Sequence, residues 1–189
     1  LILEVGPGTG VLTEELLARG CRVIACELDD DLAALLRERA AAREFPNADR
    51  LTVVHADCLQ SKEELSEPLR TAIHAAASHS PPNAQCLTPN ADYHTDTPPA
   101  THSASQTPLP PFRLVANLPY ACATPLILTL LLKYPACTTL AVTIQSEVAD
   151  RLLAPPRTSE RGLLSVLAQS MAHVERIATL PRECFWPRP

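Results

Sequence analysis

A short segment at residues 117–120, Asn117-Leu118-Pro119-Tyr120, combines a side-chain amide, backbone carbonyls and an aromatic ring on a turn stiffened by proline. It directly follows an apolar, strand-like run at residues 113–116, so we expect it where a strand ends at a cleft. These groups can accept both hydrogens of the exocyclic amine of a planar base such as adenine, while the ring stacks on the base. Asn and Pro are also common in ordinary turns, which is the alternative interpretation.

A glycine-rich turn follows the first predicted strand, at residues 6–10 (Gly6-Pro7-Gly8-Thr9-Gly10). It is poor in side chains, so a ligand can approach its backbone closely. Nicotinamide-dinucleotide sites require their third glycine one position after Gly10, where this chain has Val11. A G-x-G-x-G turn with no pyrophosphate to cradle better suits S-adenosylmethionine.

Acidic residues follow the next two predicted strands. Glu27, at the tip of the second strand, is placed to accept hydrogen bonds from ribose hydroxyls, and Asp57 can accept one from an adenine amino group. Alternatively, each acid caps a helix and Gly6 simply ends a strand. Because the carboxyl ends of parallel strands meet at one edge of a sheet, the three positions together predict an S-adenosylmethionine-type site.

Hydrophobic periodicity places these residues on alternating strands and helices. The predicted strands lie near residues 1–5, 22–26, 51–55, 113–116, 138–144 and 174–178, and the predicted helices near 11–19, 30–43, 125–133, 147–153 and 162–172. This alternation predicts an α/β fold with a doubly wound, mostly parallel, Rossmann-like sheet. Residues 1–60 would form the half with the cofactor site, and residues 112–189 the half with the target-base site.

Residues 61–111 interrupt this alternation. They hold 9 of the 19 prolines and 4 of the 6 histidines, and they contain no glycine. That composition predicts a disordered insertion that buries no core. Its histidines and Cys86 match no recognised ligand spacing, so we predict no metal site there.

Composition and charge narrow the class of protein. No apolar run approaches the roughly 20 residues needed to span a bilayer, so a membrane role is not expected. Seven cysteines without a C-x-x-C pair suit reduced thiols in an intracellular protein. The formal charge of -5 is unusual for a nucleic-acid binder, but residues 112–189 carry 8 basic and 5 acidic side chains. In that half, Arg151, Arg157 and Arg161 are candidate RNA-phosphate contacts, with a solvated surface as the alternative.

Taken together and in this order, the motifs resemble the ribosomal RNA adenine dimethyltransferase family. The resemblance rests on residues 3–10, 27–29, 57, 117–120, 124–125, 145–152, 162–169 and 185–189. It covers nearly all of the chain except residues 61–111. The branch that it resembles most dimethylates two adjacent adenosines in a terminal hairpin of small-subunit rRNA.

The resemblance implies a set of site residues. The cofactor contacts that it implies are Gly6, Gly8, Gly10, Glu27, Leu28, Asp57 and Asn117. It also implies that Asn117 and the Leu118 carbonyl hold the target amine beside Pro119, and that Tyr120 and Phe185 stack on a flipped adenine. A core aromatic is the alternative for Phe185. Direct transfer of the methyl group from the sulfonium needs no metal and no covalent enzyme intermediate.

The chain also departs from the family's pattern. Ser146 stands where a basic residue is usual, and residues 121–123 (Ala-Cys-Ala) replace a more polar stretch. The sequence starts without methionine and stops in an apparent loop, so we expect a fragment lacking the N-terminal segment that closes over the cofactor and the C-terminal helical domain that helps bind RNA.

The resemblance further implies a monomer that acts on the assembling small ribosomal subunit. Its compartment would be the cytoplasm of a bacterium, or the mitochondrion, plastid or nucleolus of a eukaryote. Two alternatives stay open. One is a family member that serves mainly as a binding factor in ribosome assembly or mitochondrial transcription, and the other is an enzyme that methylates a different adenine, in large-subunit rRNA or DNA.

Overall fold

The computed structural model describes residues 1–61, 63–77 and 109–184. The strands are β1 (Ile2–Val5), β2 (Val23–Glu27), β3 (Leu51–His55), β4 (Leu59–Ser61), β5 (Glu64–Leu65), β6 (Phe112–Asn117) and β7 (Cys137–Thr143). The helices are α1 (Val11–Ala18), α2 (Asp30–Ala41), α3 (Glu67–Ala77), α4 (Tyr120–Lys133), α5 (Ser146–Leu153) and α6 (Leu163–Met171). Short 3-10 turns lie at Ala48–Arg50 and Arg182–Cys184.

Five strands form one sheet in the order β3-β2-β1-β6-β7, and every neighbouring pair is parallel. The doubly wound, Rossmann-like α/β sheet expected from the sequence is therefore confirmed. Chain order reverses between β1 and β6, and ligands of such sheets bind at the carboxyl edge beside this reversal. The remaining two strands, β4 and β5, form a separate antiparallel hairpin.

The sheet separates two apolar cores because successive strand side chains point to opposite faces. In β1, Ile2 belongs to one core, whereas Leu3 and Val5 belong to the other. The smaller core is completed from α1, α2 and the following loop by Leu16, Leu17, Leu36 and Phe45. The larger core is completed from α3 and α4 by Leu69, Ile73, Leu126, Ile127 and Leu130. Both helical layers therefore hold the strand ends in fixed positions.

The prediction that residues 61–111 form a disordered insertion is wrong for the first part of that segment. Its described start forms the end of β4, then β5 and α3, and the side chains of Leu65, Leu69 and Ile73 are fully buried. The spacing of Leu69, Ile73 and Ala76 is helical, but the proline and histidine content of the whole segment concealed it. The Tyr134 hydroxyl also accepts a hydrogen bond from the Leu65 N–H (3.1 Å). Residues 78–108 lie outside the described residues.

Two further boundaries differ from expectation. Helix α4 begins at Tyr120 rather than near Pro125, although Pro125 lacks an N–H group for the Ala121 carbonyl. The strand predicted near residues 174–178 is wrong, since these residues pair with no strand among those the structure describes. Ile177 there is 84% exposed, so the alternating pattern has no sheet to join. Within the described ranges, no helix has the length and hydropathy to cross a bilayer.

Candidate active site

The turn after β1 and the segment after β6 touch each other at the reversal of the sheet. Gly6 has a positive φ of 69°, and a Cβ atom placed on it would lie 2.8 Å from Pro119 Cγ. Such a distance is shorter than real carbon–carbon contacts, so only glycine fits here while Pro119 keeps its place. Sequence reasoning assigned the two turns separately, and the structure brings them together.

The other two glycines of the turn have different surroundings. A Cβ on Gly8 would meet no atom within 4 Å, so this part of the turn faces open space that a ligand can enter. A Cβ on Gly10 would lie 2.8 Å from Leu36 Cδ2 and 2.9 Å from Phe45 Cζ. Gly10 is therefore required for packing against α2 and the loop after it. The sequence analysis expected Gly10 only as a cofactor contact.

Glu27, at the end of β2, is buried and accepts three backbone hydrogen bonds. Its Oε1 accepts the N–H groups of Leu28 (2.9 Å) and Asp29 (3.1 Å), and its Oε2 accepts the N–H of Gly8 (3.1 Å). A carboxylate oxygen has two acceptor positions, so Oε2 keeps one for a ligand. The helix-capping alternative applies instead to Asp29, whose side chain accepts the Leu32 N–H at the start of α2 (3.0 Å).

The side chains that follow Glu27 and β3 border the same edge. Leu28 is 66% exposed, which is unusual for a leucine directly after a buried strand. Asp57 is exposed, and its Oδ1 accepts the Leu59 N–H (3.0 Å), which leaves the second carboxylate oxygen free of that turn. Ala56 links the two strand ends, since its N–H donates to the Glu27 carbonyl (3.0 Å).

A buried acid beneath the glycine turn escaped the sequence-based assignment. Glu4 in β1 is 1% exposed, and the Thr13 hydroxyl of α1 donates to its Oε2 (2.7 Å). Burial raises the pKa of Glu4 from 4.5 to about 7, the Thr13 hydrogen bond opposes the rise, and the nearby Glu27 carboxylate adds to it. An acid within an otherwise apolar strand was the available signal. Glu4 and Thr13 together fix α1 to the strand that carries the turn.

The segment 117–120 joins the end of β6 to the start of α4. The side chain of Leu118 is buried, and its N–H donates to the Thr143 carbonyl of β7 (3.1 Å), so the backbone is anchored. The Asn117 and Pro119 side chains are exposed, and Tyr120 is 61% exposed at the first position of α4. An exposed amide and an exposed phenol ring therefore border the cleft on an anchored backbone. An ordinary turn would not require these two side chains to be exposed.

The three candidate RNA-contacting arginines lie on or after α5. Arg151 and Arg161 line a cavity of about 610 Å³, together with Thr124 of α4 and the start of α6. The Arg161 guanidinium donates to the Ala154 carbonyl (2.8 Å) and to Gln169 Oε1 (2.9 Å), so it holds the loop in place. Arg151 and Arg157 are exposed. These two keep the surface position expected of phosphate contacts.

Phe185 lies outside the described residues, so its expected stacking position has no structural counterpart here. Cys86, His79, His94 and His102 also lie outside the described residues. In the described ranges, no group of three or more His, Cys, Asp or Glu side chains is arranged to hold a metal ion.

The sequence profile described as "Ribosomal RNA adenine dimethylase" matches residues 1–189. Ribosomal RNA small subunit methyltransferase A of Streptomyces griseus is 37% identical over 188 residues, which cover 100% of this chain and 50% of that protein. The protein of the same name from Mycobacterium tuberculosis is 35% identical over 189 residues, with 100% and 47% covered. The chain thus spans about half the length of the curated relatives it matches.

Solved structures agree on the fold. A dimethyladenosine transferase from Plasmodium falciparum superposes with a TM-score of 0.63 at 22% identity, covering 100% of this chain and 51% of that one. The 23S rRNA methyltransferase ErmE superposes with a TM-score of 0.56 at 25% identity, covering 100% and 56%.

Proposed function

The chain belongs to the ribosomal RNA adenine dimethylase family, and we propose that it dimethylates N6 of adenosines in small-subunit rRNA. The methyl donor that we propose is S-adenosylmethionine, and the proposed partner is the assembling small ribosomal subunit. Relatives named as small-subunit methyltransferases support the substrate, since they are 35–37% identical across the whole chain. The monomeric state and the compartment expected from the sequence stay predictions.

The contact between Gly6 and Pro119 is the observation that carries this proposal. A methyl-transfer site must hold a donor and an acceptor side by side, because the reacting atoms have to come within about 3–3.5 Å. The glycine turn supplies the donor side and the segment 117–120 supplies the acceptor side. Their direct contact at the sheet reversal supports a single cleft shared by the two half-sites, because a pair of unrelated turns would not require such a contact.

The residues at the glycine turn fit the proposed cofactor. Gly8 faces open space, Glu27 Oε2 retains an acceptor position for a ribose hydroxyl, and the exposed Asp57 can accept from an adenine amino group. Leu28, exposed beside Glu27, offers an apolar surface for the adenine ring. S-adenosylmethionine, when bound, supplies an electrophilic methyl group on its sulfonium. The chain's own task at this turn is to bind and orient it.

The segment 117–120 fits the target adenine. The Asn117 side-chain oxygen and the Leu118 carbonyl can accept the two amine hydrogens, which favours a pyramidal nitrogen with its lone pair aimed at the cleft. Tyr120, exposed at the start of α4, can stack on a base extruded from the RNA and offset part of the cost of extrusion. Pro119 fixes the spacing between the two groups, because its ring limits the backbone angle.

The exposed arginines extend the proposed site toward the RNA backbone. We assign Arg151 and Arg157 to phosphate contacts, since both residues are exposed. Arg151 lines the cavity beside α4, and Arg157 lies on the loop that borders this cavity. Arg161 takes a supporting role, because its hydrogen bonds are made inside the protein. It holds the loop after α5 against α6.

The deciding experiment measures methyl transfer from labelled S-adenosylmethionine to small ribosomal subunits that lack the modification. We expect label in N6,N6-dimethyladenosine of the small-subunit rRNA. Normal binding to the particles without transfer would favour the binding-factor alternative. Label confined to large-subunit rRNA or DNA would replace the proposed substrate, while leaving adenine methylation as the reaction.

A further inference from the structure

The glycine turn is anchored to helix α2 through the guanidinium group of Arg39. Arg39 lies in the last turn of α2, and its Nη1 donates to the Thr9 carbonyl inside the glycine turn (2.6 Å). The bond joins residues that are 30 positions apart in the chain. The cofactor contacts expected from the sequence include no residue of α2, so the site described above leaves Arg39 without a role.

The other two nitrogens of the guanidinium group also have partners. Nε donates to Glu44 Oε2 in the loop after α2 (2.9 Å), and Nη2 donates to Glu14 Oε2 in the first turn of α1 (3.3 Å). The side chain of Arg39 is 25% exposed, whereas those of both glutamates are half-exposed. The planar fork of arginine lets one side chain reach several acceptors at once. Arg39 thus joins α1, α2 and the turn between β1 and α1.

The side chains next to Arg39 pack against the same turn. The Arg39 guanidinium lies over the ring of Phe45, with 4.3 Å from its Cζ to the ring centroid. Phe45 and Leu36 are the two side chains that a Cβ atom on Gly10 would meet, at 2.9 Å and 2.8 Å. Leu36 is three residues before Arg39, so the two share one face of α2. This face contacts Gly10 by packing and Thr9 by a hydrogen bond.

The hydrogen bond from α2 fixes the orientation of one peptide unit, which joins Thr9 to Gly10. Its carbonyl accepts the guanidinium hydrogen bond, and its N–H donates to the Pro7 carbonyl (3.0 Å). Rotation of this peptide would break both bonds. The residue before it, Gly8, donates its N–H to Glu27 Oε2 (3.1 Å). Two successive residues of the turn are therefore anchored to different elements, Gly8 to β2 and Thr9 to α2.

The turn needs such anchors because its own residues restrain the backbone weakly. Gly8 and Gly10 flank Thr9 and have positive φ angles of 57° and 88°. Glycine adopts both signs of φ readily, so a turn with three glycines in five residues samples other conformations unless its surroundings hold it. A turn that is fixed before a ligand arrives loses less conformational entropy on binding, which raises the affinity.

We propose that Arg39 is a positioning residue for the cofactor, a role that rests on the proposed function. Arg39 acts through the Thr9 carbonyl, which it holds in the orientation that keeps the neighbouring Gly8 N–H on Glu27 Oε2. Glu27 then presents the remaining acceptor position of Oε2 to a ribose hydroxyl of the cofactor. The carboxylates of Glu14 and Glu44 orient the guanidinium group and balance its charge.

The variant Arg39→Met tests this role, since methionine keeps an apolar stem over Phe45 but has no hydrogen-bond donor. We expect the affinity for S-adenosylhomocysteine in calorimetry to fall about 10-fold, as when a charge-assisted hydrogen bond is lost. The matched control is the double variant Glu14→Gln, Glu44→Gln, which removes both ion pairs and leaves the bond to Thr9. Its affinity should stay within about 2-fold of the parent's, because exposed ion pairs contribute little. Unchanged affinity in Arg39→Met, or an equal fall in both variants, would overturn the positioning role.

A second variant, Arg39→Lys, separates geometry from charge and extends the test if the methionine variant does not fold. Lysine keeps the positive charge between the two glutamates, but its single ammonium group lacks the planar fork that spans three acceptors. We expect its affinity for S-adenosylhomocysteine to stay at least about 5-fold below that of the parent. Full affinity in Arg39→Lys would show that charge alone suffices and would also overturn the positioning role.

Amide hydrogen exchange at Gly10, followed by NMR, measures the turn without any ligand. The Gly10 N–H donates to the Pro7 carbonyl, so its exchange rate reports how often the turn opens. In Arg39→Met we expect this rate to rise about 10-fold. The control is the Gly20 N–H, which donates to the Leu17 carbonyl after α1 (2.9 Å) and should exchange as in the parent.

The exchange rates also separate the positioning role from the proposed function. An unchanged rate at Gly10 in Arg39→Met would refute the anchoring of the turn by Arg39. A faster rate at Gly10, found where the parent itself binds no S-adenosylhomocysteine, would support the anchoring and count against the proposed function.

Discussion

Gly6 and Pro119 meet across the reversal of the sheet, since a Cβ atom on Gly6 would lie 2.8 Å from Pro119 Cγ. One residue follows the first strand and the other follows the fourth strand of the parallel sheet, 113 positions later in the chain. Their contact makes the position of the proposed target segment depend on the absence of a side chain in the proposed cofactor turn. A small change at either residue should therefore affect both half-sites.

Replacing Gly6 with alanine should weaken S-adenosylhomocysteine binding by more than 10-fold. The new methyl group must displace Pro119, and the positive φ of 69° adds strain of roughly 1–2 kcal/mol. Gly20→Ala is the matched control, because Gly20 has a φ of 77° but no atom closer than 3.9 Å to its added Cβ. Both variants should lose stability in chemical unfolding, but only Gly6→Ala should lose affinity. Equal affinities of the parent and Gly6→Ala for S-adenosylhomocysteine in calorimetry would disprove the coupling between Gly6 and Pro119.

Replacing Asn117 with alanine should lower methyl transfer about 10- to 100-fold, the effect of losing one hydrogen bond to the reacting amine. The side chain is exposed, so the unfolding free energy should change by less than about 0.5 kcal/mol. Thr52→Ala, an exposed position on β3, serves as the control for activity. Full activity of Asn117→Ala in the methyl-transfer assay would remove Asn117 from the proposed mechanism.

Replacing Glu4 with glutamine should remove a pH dependence of stability. The folded-state pKa of Glu4 is raised from 4.5 to about 7, so its protonated form is favoured in the folded chain. Its stabilising contribution is present below pH 4.5 and is lost as the pH rises through about 7. The unfolding free energy of the parent should fall by about 2–3 kcal/mol relative to Glu4→Gln over that range.

The control for Glu4 is Glu38→Gln, an exposed glutamate on α2. Urea titrations at several pH values should give parallel curves for the parent and for this variant. Parallel curves for the parent and Glu4→Gln as well would mean that Glu4 titrates normally in the folded chain.

Replacing Ile73 with alanine should destabilise the chain by about 2–5 kcal/mol, as expected for a buried branched side chain. Ile73 is fully buried from α3, in the segment that the sequence indicated to be disordered. Thr71→Ala, exposed on the same helix, should change stability by less than about 0.5 kcal/mol. Thermal or urea unfolding measures both, and equal stabilities would restore the original view of this segment.

Replacing each of the two cavity-lining arginines with alanine should distinguish a role in RNA binding from a role in stability. Arg151→Ala should weaken binding to small ribosomal subunits and reduce its salt dependence by about one phosphate contact, with little change in stability. Arg161→Ala should instead lower stability by about 1–3 kcal/mol, because the guanidinium hydrogen bonds to the Ala154 carbonyl and to Gln169 Oε1 are lost. The salt dependence of binding and the free energy of unfolding in urea are measured for both variants. A stability loss in Arg151→Ala alone would reverse the assignment.

The sequence predicted the parallel sheet well because each strand and helix carries a local signal. Strand β3 was predicted with its observed bounds, and the turns at Gly6 and Glu27 were placed at the correct strand ends. Which of these turns touch is decided by the order of strands across the sheet, a nonlocal property. The contact between Gly6 and Pro119 therefore could not be predicted from one sequence.

The missed helix α3 has a clear physical cause. Helix α3 was hidden because composition averaged over residues 61–111 outweighed the short helical spacing of Leu69, Ile73 and Ala76. The informative quantity is burial against a distant element, which a local pattern does not contain.

The bond from Arg22 to the Ala76 carbonyl has a consequence for where this chain tolerates changes in length. Arg22 directly precedes β2, and its Nη1 donates to the end of α3 (2.7 Å), so α3 ends at the amino edge of the sheet. Strand β6 also starts at that edge, at Phe112. Ala76 and Phe112, the described points on either side of residues 78–108, therefore both lie on the side opposite the cleft. A change in chain length next to these two points, or a fluorophore or affinity tag attached there, would enter the fold at a distance from its proposed chemistry.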